Sequence, residues 1–102
     1  MDKETIKSKI LSEIEKNPVR AKVKKVSLFG SHLSNTNKSY SDVDVLIEFK
    51  PDAEVGFFGL SRLQDEFKQV LNIEVDLVTP EALSKYFRDK VLSKAELIYE
   101  GK

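Results

Sequence analysis

The sequence has no cysteine and a single histidine, His32. Without cysteine, nothing in the fold depends on the redox compartment, and a zinc site built from thiolates is excluded. One histidine also argues against a metal centre built from imidazole rings. Neither of the common classes of protein zinc site is therefore expected in this chain.

The chain also lacks an excess charge and a long apolar run. Seventeen Lys and Arg residues balance seventeen Asp and Glu residues, whereas a chain that holds long nucleic acid on its surface normally has a basic excess. No stretch approaches the roughly 20 apolar residues of a membrane span, and the charged N-terminus does not resemble a signal peptide. From 102 residues we expect one soluble, cytoplasmic domain over residues 1–102.

Hydrophobic periodicity predicts alternating helices and strands. Isoleucines at every fourth position predict an amphipathic helix over residues 2–16, which Asn17-Pro18 ends. Alternating apolar residues predict strands over residues 23–29 and 41–49, joined by a polar connector of about eleven residues. A second helix is predicted over about residues 58–71, followed by a third strand in the segment IEVDLVTP.

The C-terminal region is predicted to be helical from Pro80 to about Ser93, with Thr79 as its N-cap. Four apolar side chains of this region are expected to face the core: Leu83, Phe87, Val91 and Leu92. Residues 96–100 are predicted to form a short edge strand, which would allow homodimerisation.

The order of the elements predicts an α/β (α+β) fold. We expect a mixed sheet of three or four strands with helices packed on one face. Most phenylalanines are most simply core residues, namely Phe29, Phe49, Phe57, Phe58 and Phe67. Phe57-Phe58 stands between Gly56 and Gly59, so a loop that contacts a partner is the alternative for this pair.

Asp42 and Asp44 are two positions apart in the second strand, so their carboxylates share a face about 7 Å apart. Val43, Val45 and Ile47 then point to the core. Two adjacent carboxylates repel each other unless they are protonated or bridged by a cation. Mg²⁺ prefers carboxylate oxygens and leaves positions open for phosphate, so the sequence predicts a magnesium site here. Two solvated acids on an exposed face are the alternative.

Gly30-Ser31, at the end of the first strand, supplies a turn that would present backbone N–H groups to an anion. An ordinary turn without a binding role is the alternative for this pair. Asp76 lies in the middle of the third strand, where an isolated charge is costly. If that strand lies beside the second strand in register, Asp76 faces the same side as Asp42 and Asp44. Three carboxylates around one or two Mg²⁺ ions align an attacking hydroxyl with a leaving pyrophosphate. The alternative for Asp76 is an ion pair with a nearby lysine.

These motifs resemble those of a known family. Gly30-Ser31, ten intervening residues and the Asp-Val-Asp at 42–44 resemble the GS-x₁₀-DxD signature of the polymerase-β-type nucleotidyltransferases. With SDVDVLIEF, VDLVTPEAL and YFRDKVL, residues 26–99 resemble the minimal nucleotidyltransferases, small domains often encoded beside a HEPN-domain ribonuclease. The resemblance implies the polymerase-β-type fold and transfer of AMP from ATP to a tyrosine of the HEPN toxin, which is silenced by the modification.

Residue by residue, the resemblance implies that Gly30 and Ser31 contact the triphosphate of ATP. It also implies that Asp42, Asp44 and Asp76 are the catalytic carboxylates that bind Mg²⁺.

The chain departs from the family pattern after the Gly-Ser pair. The family commonly has Arg-x-Arg there, whereas this chain has His32 and Ser34. Lys38 keeps a positive charge in the connector and is a candidate nucleotide-binding residue. This departure leaves open a second function, in which a catalytically weak chain neutralises the HEPN toxin by occlusion. Nucleotidyl transfer to a small-molecule acceptor is a third.

A basic run near the first strand has two interpretations. Arg20, Lys22, Lys24 and Lys25 form either a solvated strand edge or a set of charges that steers ATP toward the site.

Overall fold

The structure is a computed structural model that describes residues 2–29 and 43–101. The elements follow in chain order: α1 (Lys3–Lys16), a 3₁₀ turn (Pro18–Lys22), β1 (Val23–Phe29), β2 (Val43–Phe49), α2 (Phe57–Leu71), β3 (Val75–Val78), a 3₁₀ turn (Pro80–Ala82), α3 (Lys85–Lys94) and β4 (Glu96–Glu100). In the described part of the chain, no helix is long and apolar enough to cross a membrane.

The strands form one mixed sheet with the order β3-β2-β1-β4. β1 runs antiparallel to both β2 and β4, whereas β2 and β3 are parallel and are connected through α2. The predicted mixed sheet is confirmed, and so is the predicted edge position of β4. Homodimerisation through this edge stays a prediction.

Local capping explains where the first helix begins and ends. The Asp2 carboxylate accepts a hydrogen bond from the Thr5 backbone N–H at 2.8 Å, and thereby caps the start of α1. Asn17 has extended backbone angles because the ring of Pro18 disfavours a helical conformation in the residue before it. The Asn17 side chain then accepts a hydrogen bond from Val19 N–H at 3.0 Å and starts the 3₁₀ turn. The predicted end of the helix is confirmed.

The core lies between one face of the sheet and the helices α1 and α2. Both helices place apolar residues at helical spacing on this face, and every strand except β4 contributes alternate residues. The core residues are Ile6, Ile10, Ile14, Val23, Val26, Leu28, Val43, Val45, Ile47, Leu63, Phe67, Leu71, Val75 and Leu77. The even-numbered side chains of β2 consequently face the opposite side of the sheet.

The prediction that the C-terminal helix faces the core is wrong for Phe87 and Leu92. Both side chains are exposed, and no residue of α3 is buried. The physical reason is that α1 and α2 already cover the apolar face of the sheet.

The helix is also shorter than predicted, because the 3₁₀ turn ends at Ala82 and α3 begins only at Lys85. The prediction that Thr79 is the N-cap of this helix is wrong, since Thr79 precedes only the 3₁₀ turn and its side chain forms no capping hydrogen bond. Ser84 caps α3 instead, and its hydroxyl oxygen accepts a hydrogen bond from Tyr86 N–H at 3.3 Å.

The core interpretation is also wrong for Phe57 and Phe58, whose side chains are 78% and 85% exposed. Both lie in the first turn of α2, before Leu63, the first buried residue of that helix. Their rings contact each other edge to face, with centroids 5.9 Å apart. The core interpretation is confirmed for Phe29 and Phe67, which are buried, and Phe49 packs against the core.

Candidate active site

Two of the predicted carboxylates meet on neighbouring strands. Asp44 of β2 and Asp76 of β3 are register partners in the parallel pair. Adjacent strands lie about 4.8 Å apart, and directly paired residues point to the same face of a sheet. The two carboxylates are therefore neighbours on the face turned away from the core. The prediction that Asp76 shares a face with Asp44 is confirmed.

Strand alternation places Asp44 on this face. Its neighbours Val43 and Val45 belong to the core on the other side of the sheet. Asp44 itself is only 7% exposed, and Phe29 of β1 lies opposite it across the antiparallel pair. Asp76, on the shorter strand β3 at the edge of the sheet, is exposed. The pair thus has one recessed carboxylate and one accessible carboxylate.

The electrostatics of the pair are unfavourable in the absence of a cation. Partial burial raises the pKa of Asp76 above its ordinary value of 3.8, and the neighbouring Asp44 raises it further. The positive charge of Lys68 lowers this pKa, but it is the smallest of the three contributions. Two adjacent carboxylates are a donor set that suits a hard divalent cation such as Mg²⁺.

The helix α2 holds β3 in place beside β2. The Gln64 side-chain oxygen accepts a hydrogen bond from Leu77 N–H at 2.9 Å, which satisfies a donor on the edge strand. Lys68 forms an ion pair with Glu74 at 3.3 Å. Asn72 ends the helix in the left-handed region, with φ of 57°, a conformation that asparagine tolerates well. These contacts fix the register that brings Asp76 beside Asp44.

Sequence reasoning did not single out Lys68, although its charge acts on Asp76. In the sequence, Lys68 is one of many lysines and lies eight residues before Asp76, in a predicted helix. Only the packing of α2 against β3 brings the two side chains near each other. No local signal in the sequence could have identified it.

The remaining predicted site residues lie outside the described residues. These are Gly30, Ser31, Lys38 and Asp42, together with His32 and Ser34 at the positions of the family arginines. Within residues 2–29 and 43–101, there is no group of three or more acidic, histidine or cysteine side chains that could hold a metal. The pair formed by Asp44 and Asp76 is therefore the described part of the predicted cluster, and the roles of all these residues stay predictions.

The basic run lies at the other end of the sheet from the acids. Val23 begins β1 opposite Phe49, whereas Phe29 ends it opposite Asp44. Six residue steps of about 3.3 Å separate the two ends by about 20 Å, well beyond the Debye length of about 8 Å in physiological salt. Lys25 is paired with Glu100 at 3.9 Å. This position argues against steering of ATP by the run and favours a set of solvated charges at the start of β1. Since β1 is an inner strand of the sheet, the run is not the predicted strand edge.

A cleft of about 480 Å³ lies on another part of the surface. Residues of the first 3₁₀ turn and of α2 line it, among them Val19, Lys22, Gly56, Arg62 and Glu66. Asp44 and Asp76 are not among its lining residues. The adjacent carboxylates, rather than this cleft, have the chemistry of a catalytic site.

Comparison with known proteins identifies the family. The model of the nucleotidyltransferase domain matches residues 7–98. A Methanocaldococcus jannaschii protein named as a candidate protein adenylyltransferase is 36% identical over 90 residues, which cover 88% of this chain and 90% of that protein.

Solved structures share the fold. The structure of a candidate minimal nucleotidyltransferase superposes with a TM-score of 0.70 at 26% identity, covering 93% of this chain and 94% of that chain. An MNT antitoxin in complex with the tri-AMPylated Shewanella oneidensis HEPN toxin superposes with a TM-score of 0.66 at 21% identity. This match covers 97% of this chain and 72% of that chain. The chain belongs to the nucleotidyltransferase domain family and has the polymerase-β-type fold of the minimal nucleotidyltransferases.

Proposed function

We propose that this chain is an antitoxin that transfers AMP from ATP to a tyrosine hydroxyl of a HEPN-domain ribonuclease toxin. The observation that carries the proposal is the side-by-side placement of Asp44 and Asp76 on the face of the sheet turned away from the core. Family membership supports nucleotidyl transfer as the chemistry. The AMPylated HEPN toxin bound to an antitoxin of the same fold supports a HEPN protein as the acceptor.

In this proposal, Asp42, Asp44 and Asp76 supply oxygen ligands for one or two Mg²⁺ ions. A bound divalent cation would offset the repulsion between the carboxylates and the negative charge of the triphosphate. Gly30, Ser31 and Lys38 contact that triphosphate.

Asp76 is the carboxylate that an acceptor hydroxyl on another protein can reach, because it is exposed whereas Asp44 is recessed. Burial and the charge of Asp44 raise the pKa of Asp76, which makes it a better proton acceptor than an ordinary aspartate. In the transfer, the acceptor oxygen forms a bond to the α-phosphorus of ATP, and the bond to the β-phosphate breaks. Pyrophosphate leaves, and the hydroxyl proton passes to Asp76.

Intact-mass measurement of the partner tests this proposal. The chain is co-expressed with a HEPN-domain ribonuclease as the candidate acceptor, and this partner is expected to gain whole AMP units. Asp44→Asn should abolish the gain, because it removes a charge from the site while keeping the shape of the side chain. Glu48→Gln is the matched control, since Glu48 lies on the same strand and face four residues further along. A partner that is still modified by Asp44→Asn contradicts the proposal.

Occlusion of the toxin without catalysis is the second candidate function. The exposed aromatic rings of Tyr86 and Phe87 favour it, because such surface suits a stable protein complex. The absence of the family arginines at positions 32 and 34 also favours it. A partner of unchanged mass that loses ribonuclease activity in the complex would support occlusion over AMP transfer.

A further inference from the structure

The helix α3 presents two aromatic side chains to solvent. Tyr86 and Phe87 are 83% and 62% exposed, and no residue of the helix is buried. Large exposed apolar side chains placed side by side usually mark a surface that another molecule covers. Packing in the core of this protein therefore does not account for the aromatic pair.

Lysines continue the exposed face along the helix. Lys90 follows Tyr86 by four residues, and Lys94 follows Lys90 by four more, so the three side chains lie in one row on the helix. Phe87 lies next to this row at its N-terminal end. We call these four residues the aromatic–lysine surface. It joins an apolar end to a cationic end on one face of α3.

The lysines of this surface are not held in ion pairs within the described residues, although Asp89 of the same helix adds one negative charge beside them. Lys85 lies over the Tyr86 ring, with its ammonium nitrogen 5.5 Å from the ring centre, and adds a further cation beside the apolar end. The chemical complement of such a surface is an apolar pocket flanked by acidic side chains.

The aromatic–lysine surface follows soon after the strand that carries Asp76 in the chain. Only the second 3₁₀ turn and its flanking residues separate β3 from α3. Arg88 bridges this connection, because its guanidinium donates hydrogen bonds to the backbone oxygens of Pro80 at 2.8 Å and Leu83 at 3.2 Å. The connection between β3 and α3 is thus short and is braced by the Arg88 hydrogen bonds.

We propose that the aromatic–lysine surface docks the acceptor protein, whose acidic patch and apolar pocket receive Lys90, Lys94, Tyr86 and Phe87. This inference rests on the proposed function, since the occupant is the protein that accepts AMP. A nucleic acid is disfavoured as the occupant, because the chain has zero net charge and the neighbouring strands carry the paired carboxylates.

Calorimetric titration without ATP tests the docking, with a HEPN-domain ribonuclease as the probe. Two double variants, Tyr86→Ala/Phe87→Ala and Lys90→Glu/Lys94→Glu, are each expected to weaken binding at least tenfold. Circular dichroism should show an unchanged fold, because all four side chains are exposed. The affinity of the unmodified chain should fall as the salt concentration rises.

Phe57→Ala/Phe58→Ala is the matched control, since it removes an aromatic pair of similar exposure on α2. Its cationic neighbour at helical spacing, Arg62, is already paired with Glu66 at 3.9 Å. This variant should bind the partner within twofold of the unmodified chain. Binding that is lost only in this control overturns the inference.

Three further results overturn the docking. These are normal binding by both α3 variants, no binding of the partner by the unmodified chain, and tight binding of a labelled single-stranded RNA that the lysine variant abolishes.

Intact-mass analysis of the same samples with ATP separates the two proposals. If the α3 variants lose binding and the unmodified chain transfers no AMP, the docking is supported and the transfer is refuted. AMP transfer by the unmodified chain, together with normal binding by the α3 variants, supports the transfer and refutes the docking.

Discussion

The pairing of Asp44 with Asp76 makes an unusual prediction for stability. Asp76→Asn removes one charge and keeps the size of the side chain. Burial and Asp44 both disfavour the charged form of Asp76, and Lys68 compensates for them only in part. Without a divalent cation, we therefore expect Asp76→Asn to increase the free energy of unfolding at pH 7.

The expected magnitude follows from the spacing of the strands. Two unit charges about 5 Å apart interact by about 0.8 kcal/mol in water and by about 3 kcal/mol at an effective dielectric constant of 20. Because Asp76 is exposed, solvent screening favours the lower end of this range. The expected gain is about 1 kcal/mol.

The sign of the pH dependence follows from the raised pKa of Asp76. The folded protein holds the Asp76 proton more tightly than the unfolded chain does, so ionisation of this group costs stability. This cost is absent at pH values well below the ordinary pKa of 3.8, where Asp76 is protonated in both the folded and the unfolded chain. It develops as the pH rises through that value and is complete above the raised pKa. The advantage of Asp76→Asn should therefore be present at pH 7 and absent at about pH 3.

Urea denaturation followed by circular dichroism, with EDTA or with MgCl₂, measures these effects. At a Mg²⁺ concentration tenfold above its Kd, the unmodified chain should gain about 1.4 kcal/mol, and Asp76→Asn should gain little. Glu48→Gln serves as the control and should respond to Mg²⁺ like the unmodified chain. Destabilisation of Asp76→Asn by about 1 kcal/mol or more in EDTA at pH 7 would refute the reasoning.

Three other perturbations test the architecture around the site. Gln64→Ala should cost about 1 kcal/mol and speed hydrogen exchange of the Leu77 amide, because that edge-strand N–H loses its acceptor; unchanged exchange would contradict this role. Phe67→Ala should cost about 3–5 kcal/mol in urea denaturation, since the ring is fully buried; a cost below about 1 kcal/mol would mean that it is not a core residue. Lys3→Ala should raise the lowered pKa of Glu96 toward its ordinary value of 4.5, because the Lys3 hydrogen bond of 2.9 Å is the main cause of the lowering. A carboxyl NMR titration measures this shift, and an unchanged pKa would rule out that cause.

The positions of most elements were predictable from the sequence, because each depends on local patterns. The bounds of β1 coincide with the predicted residues 23–29, and α2 begins within one residue of its predicted start. Asn17-Pro18 and Thr79-Pro80 mark boundaries through backbone sterics that act over neighbouring residues. The third strand is shorter than its apolar run, because only residues 75–78 pair with β2.

Sequence periodicity could not show which apolar faces are covered. Phe57 and Phe58 resemble core residues by composition, and Phe87 by spacing, yet all three are exposed. Burial depends on how much apolar sheet surface remains once α1 and α2 are in place, and this is a property of the whole fold.

The sequence by itself determined the chemistry available to this protein, because the acidic residues, their strand positions and the family signature are local features of the chain. Only the tertiary structure decided that Asp44 and Asp76 are neighbours, since residues 32 positions apart meet only through the parallel register of β2 and β3. It also decided that α3 turns its aromatic and lysine side chains to solvent. The physical reason is the same in both cases: long-range strand pairing and competition for the apolar face of the sheet have no signature in any single segment.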